Sequence, residues 1–142
     1  MLIRDATVDD WPEMWEFMQG IVAAGETYAY PRDVDSDGLY SIWFGAPPAR
    51  TVVAVDDDGT VLGTAKMGAN HMGGSSHIST ASFMVNPDAA GRGVGRALGE
   101  HVLEQARKDG YLSMQFNAVV ESNTRAVALW KSLGFDVIGT VP

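Results

Sequence analysis

The chain has no cysteine. That removes a disulfide framework, a thiolate nucleophile and any cysteine-based zinc site, and it fits a reducing compartment. Histidine is nearly as scarce: His71, His77 and His101 share no ligand spacing, so no metal is expected. Positive charge is thin as well. Ten Lys and Arg stand against 18 Asp and Glu, a formal net charge of −8, and the basic residues are scattered rather than gathered in a patch. Nucleic-acid binding is therefore not expected, while a cationic small molecule such as an amine is mildly favoured. No stretch approaches the roughly 20 apolar residues of a membrane helix, and the N-terminus lacks a signal-peptide pattern. A cytoplasmic protein with no membrane role is expected.

What is present describes one domain. The 142 residues are 46% hydrophobic and 20% charged, near globular averages. A chain of this size buries roughly 68–70% of its unfolded surface and needs no staple. Leu2 to Arg4 begins a strand, and Thr7-Val8-Asp9-Asp10 is a capping signal that opens a helix. On that helix Trp11, Met14, Trp15, Met18, Ile21 and Val22 share a face, and Gly25 stops it. A short helix from Ser36 to Phe44 carries Leu39, Tyr40, Ile42 and Trp43, before Gly45-Ala46-Pro47-Pro48 breaks the chain. The β-branched runs Thr51 to Val55 and Val61 to Met67 flank Asp56-Asp57-Asp58-Gly59, a hairpin turn. After the glycine-rich stretch Asn70 to Ser76, Ile78 to Val85 returns as a third antiparallel strand.

The pattern then changes. Gly93 to Lys108 reads as a helix with Val94, Leu98, Val102 and Ala106 on one stripe. Leu112 to Ala118 reads as a strand, Asn123 to Leu133 as a helix stopped by Gly134, and Val137 with Ile138 as the start of a last strand. Together these predict an α/β fold: a mixed, mostly antiparallel central sheet flanked by helices.

The sharpest local feature is Met84-Val85-Asn86-Pro87-Asp88-Ala89-Ala90-Gly91-Arg92-Gly93-Val94-Gly95-Arg96. A strand ends, glycines follow, and a helix starts at once. Free N–H groups at a helix start, with the helix dipole behind them, can hold a phosphate. A plain turn is the competing reading. The loop is not a Walker A sequence, and Arg96 stands where the dinucleotide fingerprint needs a small residue.

These residues resemble the GNAT acetyltransferases. Ala90-Gly91-Arg92-Gly93-Val94-Gly95 matches the glycines of that family's phosphate loop, Arg/Gln-x-x-Gly-x-Gly/Ala. Downstream, Asn123-x-x-Ala126-x-x-Leu129-Trp130-x-x-x-Gly134-Phe135 is similar to the family's Asn-x-x-Ala-x-x-Leu-Tyr-x-x-x-Gly-Phe. The resemblance spans Leu2 to Gly139 and leans toward the phosphinothricin acetyltransferase-like branch. It implies an N-acetyltransferase that binds acetyl-CoA between diverging central strands and transfers acetyl directly to the primary amine of a small, amino-acid-like molecule. The main-chain groups of Met84 and Val85 would pair with the pantetheine arm. N–H groups from Gly91 through Arg92, Gly93, Val94 and Gly95 to Arg96 would cradle the pyrophosphate, and Asn123, Leu129 and Trp130 would reach the cofactor. For Leu129, simple core packing is an equal reading.

Two departures stand out. Ala90 replaces the family's Arg or Gln, and Trp130 replaces the tyrosine credited with protonating the leaving thiolate. An indole N–H can donate a hydrogen bond but is no proton source. A non-catalytic acyl-CoA sensor, or a nucleotide-binding module, therefore stays open as an alternative. Candidate catalytic groups are a backbone donor near Val85, Glu26, His77 or Glu121 as base, and Asn117 to hold water or substrate. Each side chain also has an ordinary reading as a surface polar residue. Tyr28 to Tyr30 is expected to shape the acceptor pocket. The family continues into a further strand beyond the equivalent of Val137 to Val141, which leaves open either a domain (residues 1–142) lacking its C-terminal strand or a strand borrowed from a partner in a homodimer.

Overall fold

The computed structural model describes all 142 residues. The two β-branched runs and their Asp-Gly turn form the central hairpin, β2 (Arg50–Val55) and β3 (Val61–Ala69). Gly59 takes a φ of 85° in that turn, which a side chain would resist. β1 (Leu2–Asp5) and β4 (Ile78–Val85) pair antiparallel on either side, and β5 (Ser113–Met114) joins β4 in parallel. The sheet order is β1-β2-β3-β4-β5. Helices α1 (Trp11–Ala24) and α2 (Ser36–Trp43) precede the hairpin. Helices α3 (Val94–Lys108) and α4 (Thr124–Ser132) follow β4 and β5. No helix is long and apolar enough to cross a membrane.

Side-chain alternation gives the sheet two apolar faces, and each is covered. On one, Met14, Met18, Val22, Leu39 and Trp43 of α1 and α2 pack on Val53, Val55, Val61 and Met84. On the other, Val94, Leu98, Val102 and Ala106 of α3 pack on Val52, Ala54, Leu62, Ala65 and Met67. Each fully buried side chain of this kind contributes about 1.5–3 kcal/mol. Two polar contacts set α1 and α2 on the sheet. Buried Thr64 accepts from Trp43 Nε1 at 3.0 Å and donates to the Val52 carbonyl at 2.8 Å. The Val61 N–H donates to the Glu13 carboxylate, beside the register shift at Ala54 and Val55. Gly63 lets α3 approach: a Cβ there would lie 2.9 Å from Val94 Cγ1 and 3.1 Å from the Met84 carbonyl oxygen.

Three expectations need correction. The strand expected from Leu112 to Ala118 shrinks to Ser113–Met114, because the chain turns away and Asn117 Nδ2 donates to Asn70 Oδ1 at 2.7 Å instead. No strand forms at Val137 and Ile138, which are 67% and 81% exposed and carry no packing to fix them. The Thr7 signal opens a single 3-10 turn, Val8–Asp10, ahead of α1, since Asp10 bonds back to the Thr7 N–H at 2.8 Å and outward to Arg4.

Two stability results follow from this packing. Gly63→Ala should lower the urea midpoint with m unchanged, at a cost of about 1–3 kcal/mol, because the atoms it would meet are backbone and rigid branched carbons. A second concerns Arg50, whose guanidinium grips the Asp109 carboxylate at 2.6 and 2.9 Å and holds it below the ordinary range. A depressed folded value makes the pair's contribution present above about pH 4 and lost as pH falls through that depressed value. The pair is partly exposed, so roughly 0.2–1 kcal/mol is at stake. Urea melts from pH 6 to pH 2.5 should show a shallower acid loss in Arg50→Gln than in the natural chain.

Candidate active site

The last rung between β4 and β5 is the Gln115 N–H to the Ser79 carbonyl, 2.9 Å. Beyond it β4 runs on without a strand on that side. Strand alternation decides which of its groups face the gap. The Asn70 N–H donates to the Ile78 carbonyl and the Asn86 N–H to the Leu62 carbonyl, so even-numbered residues turn toward β3. Ala81, Phe83 and Val85 therefore turn their main-chain groups to the gap. At Phe83 they are already engaged. Its N–H donates to the Tyr28 hydroxyl at 2.9 Å, and that hydroxyl donates to the Phe83 carbonyl. Tyr28 comes from the loop between α1 and α2, and burial pushes its phenol well above the ordinary value. Tyr30 stacks on it at 5.4 Å.

Toward the end of β4 the gap meets the start of α3. Gly91 and Gly93 adopt φ of 79° and 76°, which only glycine takes freely. They fold the chain so that α3 begins beside Val85: a Cβ on Gly95 would lie 3.8 Å from Val85 Cγ2 and 3.4 Å from Leu129 Cδ2. The first helical rung is Ala97 N–H to the Gly93 carbonyl, 3.0 Å, so the preceding N–H groups have no partner inside the helix. No acidic residue sits in that first turn. The adjacent arginines are tied locally. Arg92 bonds Asp56 at 2.9 Å and holds that carboxyl below its ordinary value, while Arg96 bonds Ser132 Oγ at 2.6 Å.

The other expected cofactor residues spread over α4. Asn123 caps that helix, its Oδ1 accepting from the Ala126 N–H at 3.4 Å. Leu129 lies against Gly95, beside the glycine loop. Trp130 is buried among Phe83, Phe116 and Phe135, with ring centroids 4.7, 4.8 and 6.1 Å away. The expectation that Met84 presents its main chain to the pantetheine is corrected: its groups turn to β3, its side chain is buried, and Phe83 takes the place beside Val85. The period of two along a strand was the available signal, since neighbours 84 and 85 cannot share an edge.

The catalytic candidates do not converge. Glu26 is exposed in the turn after α1, two residues before Tyr28. His77 lies at the opening of β4, its Nδ1 3.1 Å from the Gly74 carbonyl and roughly 20 Å along an extended strand from Phe83. Glu121 is exposed in the turn before α4, and Asn117 is held by Asn70. The Tyr28 hydroxyl sits in the gap, where its place in the aromatic run Tyr28 to Tyr30 suggests only a pocket wall.

An open strand edge running into a glycine loop and a helix start is an acyl-CoA type of site, and comparison with known proteins agrees. Residues 7–135 match the model of the acetyltransferase (GNAT) family. A solved GCN5-related N-acetyltransferase from Kribbella flavida is 52% identical and superposes with a TM-score of 0.95, covering 99% of this chain and 85% of that one. The structure of yncA from Salmonella typhimurium with its cofactor acetyl-CoA is 25% identical, TM-score 0.84, covering 100% and 83%. The L-methionine sulfoximine/L-methionine sulfone acetyltransferase of Pseudomonas paraeruginosa is 31% identical over 145 residues, 99% of this chain and 83% of that protein. Against N-acetyltransferase aca1 of Schizosaccharomyces pombe the chain is 31% identical over 94 residues and spans 45% of the relative's length. The chain belongs to the GNAT acetyltransferase family, and acetyl-CoA is the cofactor held in the Salmonella structure.

The residues present fit that cofactor. Its pyrophosphate suits the free N–H groups at the glycine loop, and its amides suit the strand edge at Phe83 and Val85. A Cβ on Gly93 meets nothing within 4 Å, so a substitution there acts through backbone strain alone. Gly93→Val should therefore fold yet lose the acetyl-CoA-dependent rise in melting temperature. In the natural chain, ligand at 100 times its Kd should stabilise by about 2.7 kcal/mol.

Proposed function

We propose that the chain transfers acetyl from acetyl-CoA to the primary amine of a small, amino-acid-like molecule in the cytoplasm, as a phosphinothricin acetyltransferase-like member of its family. The observation that carries this reading is the open edge of β4, where the Phe83 and Val85 main chains face a gap that ends at the α3 start. Gly91, Gly93, Val94, Gly95 and Arg96 would hold the pyrophosphate by their N–H groups, with Arg92 and Arg96 adding charge. Leu129 would line the same end and Asn123 reach it from the cap of α4. A backbone N–H aimed at the thioester oxygen stabilises the developing oxyanion, and such a donor contributes about 2.7–4 kcal/mol. Holding amine and thioester in attack geometry contributes about 7–11 kcal/mol more. The net charge of −8 favours approach of a cationic acceptor, and the name of the Pseudomonas relative points to an amino-acid-like one.

The test is thiol release from acetyl-CoA across a panel of amino acids, their sulfone and sulfoximine analogues, and simple amines. Release should rise at least tenfold above the buffer rate with an amino-acid-like amine and stay at background with its N-acetylated form. Binding of acetyl-CoA with no amine-dependent release from any of them would sink the proposal.

A further inference from the structure

We propose that Tyr28 is a catalytic residue: its hydroxyl keeps the place of the thioester oxygen in the free protein and donates to that oxygen when acetyl-CoA lies along β4. This rests on the reading above that the donor occupies the β4 edge. Tyr28 Oη sits 2.9 Å from the Phe83 nitrogen, where an oxygen bound to that N–H must sit. The same hydroxyl spends its proton on the Phe83 carbonyl. One phenol thus satisfies both groups that an added chain would take at this residue. A thioester oxygen bound to the Phe83 N–H displaces it, but not far. The ring is stacked on Tyr30 at 5.4 Å and set edge-on to Trp43 at 6.3 Å, and the loop is pinned by Arg32 Nε donating to the Ala23 carbonyl at 2.7 Å. A small tilt leaves the O–H beside the oxygen that replaced it.

The chemistry suits a donor rather than an acid. Burial raises the phenol, so it keeps its proton throughout. In the transfer the amine lone pair forms the C–N bond while the carbonyl π pair moves to oxygen, where the Phe83 N–H and Tyr28 O–H both donate. That pair then re-forms C=O, the C–S bond breaks with its electrons on sulfur, and the amine proton leaves to solvent or to sulfur. Trp130 has no hydroxyl to offer and is enclosed by Phe83, Phe116 and Phe135.

The experiment compares the natural chain with Tyr28→Phe, reading kcat together with the Kd values of acetyl-CoA and free CoA by calorimetry. We expect kcat to fall between about 10- and 1,000-fold. The preference for acetyl-CoA over CoA should narrow, since only the thioester has the oxygen that Tyr28 meets. A kcat within twofold and an unchanged acetyl-CoA/CoA ratio would overturn the proposal and leave Tyr28 as a plug of the empty edge. If Tyr28→Phe does not fold, 3-fluorotyrosine placed at 28 keeps both bonds and makes a stronger donor. It should then raise kcat severalfold, and an unchanged kcat counts against the role. A natural chain that binds acetyl-CoA and turns over while Tyr28→Phe equals it defeats this proposal alone. A natural chain that binds neither acetyl-CoA nor CoA defeats the parent reading as well.

Discussion

Where the Gln115 N–H meets the Ser79 carbonyl, the sheet stops closing and begins to part. Buried main-chain groups must find partners, and past this rung β4 has no strand to supply them on its outer side. The molecule answers at Phe83 with a phenol from a distant loop, while α3 begins beside the Val85 side chain and leaves that residue's main chain facing the gap. A gap in a sheet is costly to keep, and it persists here because both its walls are held from outside the sheet. Asn117 tied to Asn70 takes one strand away, and the packing of α1, α2 and α3 keeps the other flat against β3.

That packing depends on small residues at close approaches. α3 reaches β3 at Gly63, meets α4 at Gly99, and meets both Val85 and Leu129 at Gly95. A Cβ on Gly99 would stand 3.0 Å from Leu133 Cδ1 and from Trp130 Cζ3. The helix start is thereby pressed to the end of β4, so its free N–H groups and the open strand edge form one continuous surface. A fold that placed larger residues at these points would push α3 outward and break the surface in two. The same glycines explain why α3 carries its apolar stripe on Val94, Leu98, Val102 and Ala106 and leaves its second contact to a bare backbone.

Much of this was legible in the residues. The hairpin, the four helices and their stops follow from apolar spacing, an Asp-Gly turn and C-terminal glycines, all of which are local. The glycine loop and the Asn123–Phe135 pattern were legible for the same reason. What escaped was set by contacts across the chain. Leu112 to Ala118 has a strand's composition, yet its pairing ends with the Gln115 N–H, and Asn117 bonds instead to Asn70, 47 positions earlier. Strand register, not residue type, decides which main chain meets the gap, so nothing local sets Phe83 apart from Met84. Tyr28 is 55 positions from Phe83, and nothing in Glu26-Thr27-Tyr28-Ala29-Tyr30 tells a wall aromatic from one whose hydroxyl completes a strand edge.

The exchange of a family tyrosine for Trp130 then reads differently than it does in the sequence. In isolation it is a lost proton donor. In the structure the indole fills a cluster with Phe83, Phe116 and Phe135, close to the point where the strands part. A phenol and an indole each bring one polar group to satisfy, so the exchange turns on ring area. An indole supplies more apolar contact for the same site. It holds the Phe83 side chain on one face of β4 while Tyr28 addresses the Phe83 main chain at the edge. The residue at the heart of the gap is thus fixed by its ring on one side and by its backbone on another. What the α4 position lacks in a hydroxyl it supplies as rigidity at the edge of β4.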